Sequence, residues 1–524
     1  METSAVFKTS HPPLPSPDGL HVASITSKRL HIRSTTSLDV FRSIALPTDE
    51  DTKIAALRWS RTTQSQPWSY RILVADGDNV RVWDLRDPKW TATINNGSGG
   101  MGKVISADFG ATMDELLVIS DFCSKVVVWS LVSGRSVEIK DPKYSSNRAY
   151  SLRSAGEGSP SIMALLARPG SQDVLTLHAP RSYKVLKSIP LTTHDAQAMK
   201  WSPNGRWLAV WDSPSVGFRV SIHTADGNLY RVYVGEGGER QELGLGARSL
   251  EWSPRCDYLA VGGHDRRIIM LSARTFSAAV FLEHTTSIQI PDSQVWQEDA
   301  STSSKRTYAV VPQPVSLPFL PAKSVDSTNK FGISILAFNV DGSLLATKDE
   351  SAPTAVWIWD LTTLTSRTIL LQHSPIKKIT WHPTRSDLLL IQCQHDDPVI
   401  YLWSAAMDAP MALSVPFERP FTKIEVNWLP TSHDRKPGLI ASNNSSLVFL
   451  WPDGRDPPPE EGDSDDTPES DQSFDSVIEM LAGRTPLPDH TDATMYDETT
   501  NVTEEYTTAA FEDTFRGKRP PRVI

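Results

Sequence analysis

Five tryptophans recur at the ends of apolar stretches, Trp59, Trp201, Trp252, Trp381 and Trp428, and three open the tripeptides Trp201-Ser-Pro, Trp252-Ser-Pro and Trp381-His-Pro. A second aromatic follows at a nearly constant offset, from Trp59 to Trp83, Trp381 to Trp403 and Trp428 to Trp451. Self-similarity at a period of about 40 to 50 residues marks an array of like supersecondary units, none of which can bury its faces alone. For 524 residues, length alone would suggest about three domains. The repeat replaces them with one array.

Each unit reads as strand a ending in an aromatic, a turn, strand b, a loop, strand c and an outer strand d. The fifth shows it: Ala198-Met-Lys-Trp201, the turn Ser202-Pro-Asn-Gly205, Trp207-Leu-Ala-Val-Trp211, Phe218-Arg-Val-Ser-Ile-His223 and Leu229-Tyr-Arg-Val-Tyr233. Asn-Gly and Asp-Gly turns supply the positive φ that tight hairpins need, and alternating β-branched residues mark the strands. Phe109 and Phe338 take the Trp position in two further units, and the 92 residues from Phe109 to Trp201 leave room for a degenerate unit around Ser151 to Ile189. Ser16-Pro-Asp-Gly19 is the a–b turn of a first unit without its Trp, and the total is nine.

The expected fold is an all-β β-propeller over residues 1–452, a radial stack whose closed ring leaves short edges. Residues 283–330, rich in Ser, Thr and Pro, read as an insertion rather than a tenth unit, with an extended edge segment within Thr307 to Leu317. The last unit stops at Trp451-Pro452 without a strand d, so Ser4-Ala-Val-Phe-Lys-Thr9 is expected to complete it and close the ring. Residues 453–524 read as a disordered acidic tail. Within it Phe474, Val477, Ile478 and Leu481 share one face of a short helix over 474–482, a candidate docking motif.

Charge bounds the partners. From Asp453 onward there are 19 acidic and 6 basic residues, leaving +3 for the body out of a total of −10. A nearly neutral body lacks the concentrated basic face of a nucleic-acid binder. No apolar run approaches the roughly 18 residues of a membrane-spanning helix, and the amino end lacks the apolar core of a secretory signal. Three widely spaced cysteines, Cys123, Cys256 and Cys393, fit a reducing compartment without a disulfide frame. No nucleic acid, membrane, metal or cofactor is expected, and the cytoplasm is the expected location.

Trp83-Asp84 and Trp359-Asp360 at the ends of strand c resemble WD repeats. The Gly-His dipeptide of the fuller pattern is absent before strand a, since Gly263-His264 follows strand b, so apolar packing is expected to hold most blades. Ile333 to Thr347, continuing through Ala352 to Asp360, resembles the WD-repeat family of centriolar satellites and spindle pole bodies, as do Ser4 to Lys8, Trp201 to Asp212 and Trp252 to Gly262. The resemblance implies a non-enzymatic scaffold at the spindle pole body or another microtubule-organising centre of the cytoskeleton. It further implies partnership with a coiled-coil anchoring protein and a minus-end-directed kinesin, holding microtubule minus ends and so touching microtubules indirectly. A translation-associated propeller is the rival binding class. A propeller hydrolase would need clustered acids or a metal in the central channel.

The decoys are weak. Gly97-Ser-Gly-Gly-Met-Gly-Lys103 fits a phosphate-binding loop up to the Lys, but Val104 replaces the Ser or Thr that holds Mg²⁺ and a strand follows instead of a helix. His373, His382 and His395 have no zinc spacing. Trp211 lies beyond the positions where the repeat demands an aromatic, and a Trp on a loop face is a typical binding anchor. The expected partner face is therefore the rim of loops after strand b, with Trp211 and Asp212, His264, Asp265 and Arg266, and Lys348, Asp349 and Glu350. Mixed charge with scattered aromatics there suits a helical or extended protein partner.

Overall fold

The computed structural model describes residues 1–47, 53–63, 66–95, 102–122, 124–154, 161–235, 246–291, 293–299, 306–318, 331–395, 397–417, 424–432 and 434–456. Nine antiparallel a-b-c-d sheets follow one another through these residues. Blade 5 is Ala196–Trp201, Trp207–Asp212, Val220–Thr224 and Leu229–Tyr233, in that spatial order. Strand b lies between two neighbouring blades, and its apolar run is accordingly buried along its whole length at Arg71–Ala75, Glu115–Ser120, Met163–Ala167 and Leu344–Asp349. Strand d forms the outer edge, and Val185–Pro190 alternates exposed and half-buried residues.

The ring closes through the amino terminus. Glu2–Thr3 and Phe7–Lys8 both pair with Ser446–Trp451, the last strand of blade 9, with Glu2 opposite Trp451 and Phe7 opposite Leu447. The closing strand begins two residues earlier than the alternation of Ser4–Thr9 indicates, and one extra residue bulges it between its halves. The ends of the ring also meet at Gly19, at φ +74°, where an added Cβ would stand 1.6 Å from the Pro430 carbonyl oxygen. No other residue type fits that turn.

The hydrophobic core is a set of nine slabs among the described residues, one per junction between neighbouring blades. The slab between blades 5 and 6, for example, joins Val220 and Ile222 to Leu250, Trp252 and Leu259. Each fully buried Leu, Ile or Val contributes about 1.5–3 kcal/mol, so a slab of ten or so outweighs any single hydrogen bond crossing it.

The repeated tryptophans register these slabs. Each indole Nε1–H donates to a carbonyl on strand a of the preceding blade: Trp59 to Leu14 (2.9 Å), Trp201 to Ser151 (3.2 Å), Trp252 to Lys200 (3.1 Å), Trp381 to Ala337 (2.7 Å) and Trp428 to Thr380 (3.0 Å). Bond and repeat length are one fact, because the acceptor sits one residue before the position equivalent to the Trp, one blade back. The following Ser also has a fixed task. Ser202 Oγ accepts the Trp207 N–H, and Ser253 Oγ accepts those of Asp257 and Tyr258, folding the a–b turn on itself.

Blade 7 carries the insertion. Gln294–Asp299 pairs parallel to Thr365–Leu371 and Thr307–Val310 pairs outside it, so this blade has six strands and Thr307–Val310 is its edge. A buried cluster latches the insertion to blade 8: the Glu298 carboxylate accepts from Arg306 Nη1 (2.5 Å), Tyr401 Oη (2.6 Å) and the His373 N–H (2.7 Å), and Arg306 also pairs with Asp397. Blade 7 is an exception to the missing Gly-His pattern, because it carries a hydrogen-bonded His–Thr–Trp network. His284, at the end of the preceding blade, meets Thr347 Oγ1 through Nε2 (2.8 Å), while Trp359 Nε1 donates to the same oxygen (2.9 Å). The imidazole stacks on Trp357 and Trp359, and burial pushes its pKa down to about 3. The intervening insertion moves His284 out of sequence register with the strand it serves.

Candidate functional site

The loops after strand b follow from the ends of nine buried strands, and carboxylates organise them. Asp76 accepts the N–H groups of Asp78 (2.8 Å) and Asn79 (2.6 Å) and pairs with Arg81 (2.6 Å). Burial pushes its pKa up, but these bonds outweigh burial and leave it lowered. Asp212 accepts the N–H groups of Asp195 (3.0 Å) and His194 (3.4 Å), tying strand b of blade 5 to the segment that enters the same blade. Its nearest cation, Arg219, is 4.0 Å away, and burial leaves its pKa raised. Asp349 repeats the pattern in blade 7, accepting from Gly332 (3.2 Å) and Ser351 (2.8 Å). Lys348 reaches sideways to the Ile376 carbonyl on strand a of blade 8 (2.7 Å) and to Glu350 (3.0 Å).

These placements divide the expected contact residues. Asp212, His264, Lys348 and Asp349 are buried, and the loops they shape, rather than the side chains themselves, face outward. This corrects the expectation of direct contact: a loop-forming carboxylate and a binding carboxylate look alike in sequence. Trp211 is half-buried and packs on the slab between blades 5 and 6 with Phe218 and Trp207. Asp265 is exposed, and Arg266 and Glu350 are half-exposed. Phe122, 67% exposed, is the most exposed aromatic of this rim among the described residues. The side chains of this rim that remain exposed or half-exposed include Phe122, Trp211, Asp265, Arg266 and Glu350, spread over blades 3, 5, 6 and 7.

The other candidates resolve separately. His382 accepts from the Arg385 N–H (3.1 Å) within an a–b turn and packs edge-on against Trp428, and His395 meets Tyr401 Oη (3.1 Å). No group of three His, Cys, Asp or Glu among the described residues is placed to hold a metal ion. No helix among them is long and apolar enough to cross a membrane. The docking motif of Phe474, Val477, Ile478 and Leu481, Cys123, and the first five residues of the Gly97–Lys103 loop lie outside the described residues. The sequence reading passed over Trp207 and Tyr230, taken as strand positions, although Tyr230 is half exposed on the outer strand of blade 5.

The chain is similar to the WD repeat-containing protein WRAP73 of Mus musculus, 28% identical over 458 residues that cover 83% of this chain and 92% of that protein. It is also 26% identical, over 469 residues covering 86% of this chain and 92% of the other, to a WD repeat-containing protein of Schizosaccharomyces pombe. No family model matches. Solved structures similar to it include the C-terminal WD40 domain of Sif2, with a TM-score of 0.44 and 9% identity over 79% of this chain and 98% of that one. The Dos1 propeller gives a TM-score of 0.46 and 13% identity over 77% of this chain and 94% of that one.

Proposed function

Since this chain belongs to the WRAP-type WD-repeat family, we propose that it is an adaptor of the spindle pole or other microtubule-organising centre. In this reading the propeller is a rigid scaffold that joins a coiled-coil anchoring protein to a minus-end-directed kinesin and so holds microtubule minus ends while the spindle assembles. The observation that carries it is the extent of the likeness to WRAP73, which runs through nearly the whole of both proteins rather than through isolated repeats. The rim supports an adaptor role as well. Its loops are held by internal carboxylate–amide bonds at Asp76, Asp212 and Asp349, so a partner meets a preorganised surface and little ordering entropy is lost on binding.

The test is affinity purification of the tagged full chain from mitotic cells, with a Trp211→Ala/Asp265→Lys/Glu350→Lys variant alongside. The expected outcome is recovery of a coiled-coil pole component and a kinesin with the wild type, and at least a several-fold loss of one of them with the variant. Recovery of ribosomal proteins with neither of those partners would replace the reading with a translation-associated scaffold.

A further inference from the structure

The opposite face of the ring, which carries the a–b and c–d turns, holds a feature that the rim does not. Between blades 5 and 6 lies a cleft of about 510 Å³ lined by Arg206, Trp207, Cys256, Asp257, Tyr258 and Arg274 among others. Trp207, half-buried, forms its aromatic wall, with Tyr230 4.8 Å away between ring centroids and the buried Phe276 at 5.0 Å. Phe276 in turn packs edge-on against Tyr230 and the repeat tryptophan Trp252. The wall is thus braced from behind by the same slab that joins the two blades, and Arg231 Nη1 ties it across to the Thr275 carbonyl (2.5 Å).

The mouth is fixed too. The a–b turns of blades 5 and 6 lie side by side, and the Asn204 N–H donates to Cys256 Sγ (3.3 Å). Cys256 occupies at φ +60° the turn position that glycine fills at Gly205 (φ +66°) and Gly342 (φ +73°). A side chain in this region of backbone space is uncommon, and here it supplies the link between the turns.

The chemistry of the lining selects an occupant. Arg206 and Arg274 are exposed and form no ion pair among the described residues, whereas Arg71, Arg81 and Arg168 are paired. Trp, Tyr and Arg are the side chains most enriched among residues that dominate protein–protein affinity, and all three converge on this cleft. We infer that the cleft between blades 5 and 6 is a docking groove for an extended acidic peptide segment of a partner protein, with its carboxylates on Arg206 and Arg274 and an aromatic or proline side chain against Trp207 and Tyr230. A nucleic-acid strand is disfavoured, because Asp257 would face its phosphates and the body carries a net charge of only +3. The inference rests on the scaffold reading but not on a location at the spindle pole.

The experiment is fluorescence anisotropy with the full chain and a labelled short peptide of alternating Asp and Glu around one central Trp. A peptide with Lys at every acidic position and an oligouridylate of similar length serve as comparators. The acidic peptide is expected to bind saturably, with affinity falling about tenfold or more in Arg206→Glu/Arg274→Glu and about threefold in Tyr230→Ala. Val185→Ser, on the exposed outer strand of blade 4, should leave it unchanged. Circular dichroism and melting of the exposed-residue variants keep a folding defect distinct from a binding one. Unchanged affinity in the arginine variant, no saturable binding to the acidic peptide, or tighter binding of the Lys peptide or the RNA would each overturn the inference. A chain that ignores the peptide but still gathers at spindle poles would remove the groove and leave the adaptor reading in place.

Discussion

Among the described residues, five junctions between blades carry an indole bond and four do not, and the two groups are held by different chemistry. At junctions 1–2, 4–5, 5–6, 7–8 and 8–9 a neutral N–H meets a neutral carbonyl. At junction 2–3, Arg71 of blade 2 pairs with Asp114 (2.5 Å) and the Met113 carbonyl (3.1 Å) of blade 3, while its Nε holds Asp84 (3.1 Å). At junction 3–4 the Tyr183 hydroxyl donates to the Glu115 carboxylate (2.8 Å). Junction 6–7 uses Ser249 Oγ and Arg248 on the carbonyls of Ile333 and Phe331, and junction 9–1 uses the amino-terminal strand and the bare backbone at Gly19. The repeated solution joins two uncharged groups, whereas the substitutes at blades 2 to 4 use carboxylates. One ring therefore contains a uniform sector and an electrostatic one.

Removal of Met1–Lys8 attacks the closure itself and should have the largest effect. It exposes the edge of Ser446–Trp451 and opens the ring, so the melting midpoint should fall by about 5–10 °C, measured by differential scanning calorimetry. Arg71→Ala comes next. It removes one of the two guanidinium groups on Asp84, whose side chain is 6% exposed and keeps Arg86, together with the bond to Asp114, and the loss of such charged hydrogen bonds costs about 2 kcal/mol, readable as a shift in the denaturation midpoint.

Acid should then separate the sectors. Burial pushes the Asp84 pKa up, but Arg86, its backbone N–H and Arg71 outweigh burial and bring it down from 3.8 to about 2. A carboxylate with a depressed folded pKa stabilises above its unfolded value, and that stabilisation, on the order of 2 kcal/mol, drains away as the pH falls from about 4 to 2. Hydrogen exchange should show blade 2 losing protection as the pH falls towards 3, and Asp84→Asn should flatten that part of the acid profile. Trp381→Phe should have the smallest effect, about 1 kcal/mol for one net hydrogen bond, because the slab of blades 7 and 8 persists. A loss much above that would mean that the indole bonds hold the ring rather than register it.

The legibility of this molecule in its sequence follows the same division. A bond made five times with the same residue at the same spacing leaves a period, and from Trp59, Trp201, Trp252, Trp381 and Trp428 the number of blades and the site of closure can be read. A bond made once leaves none. Tyr183–Glu115 spans 68 residues of unremarkable sequence, and His284 meets Thr347 only across an insertion. The binding surface was harder for another reason. Asp212 and Asp349 belong to the loops expected to bind, but a short carboxylate beside free N–H groups folds inward to accept them. Trp207, with Tyr230 packed on it, sits at an ordinary strand position, and only the proximity of two a–b turns from different repeats makes it the wall of a cleft.

The adaptor reading is tested most directly by imaging the fluorescently tagged full chain in living cells through mitosis, beside a marker of microtubule minus ends. The account gives discrete foci at both spindle poles that persist when cytoplasmic translation is arrested. A diffuse signal through metaphase, or one that sediments with ribosomes and never marks the poles, would contradict it.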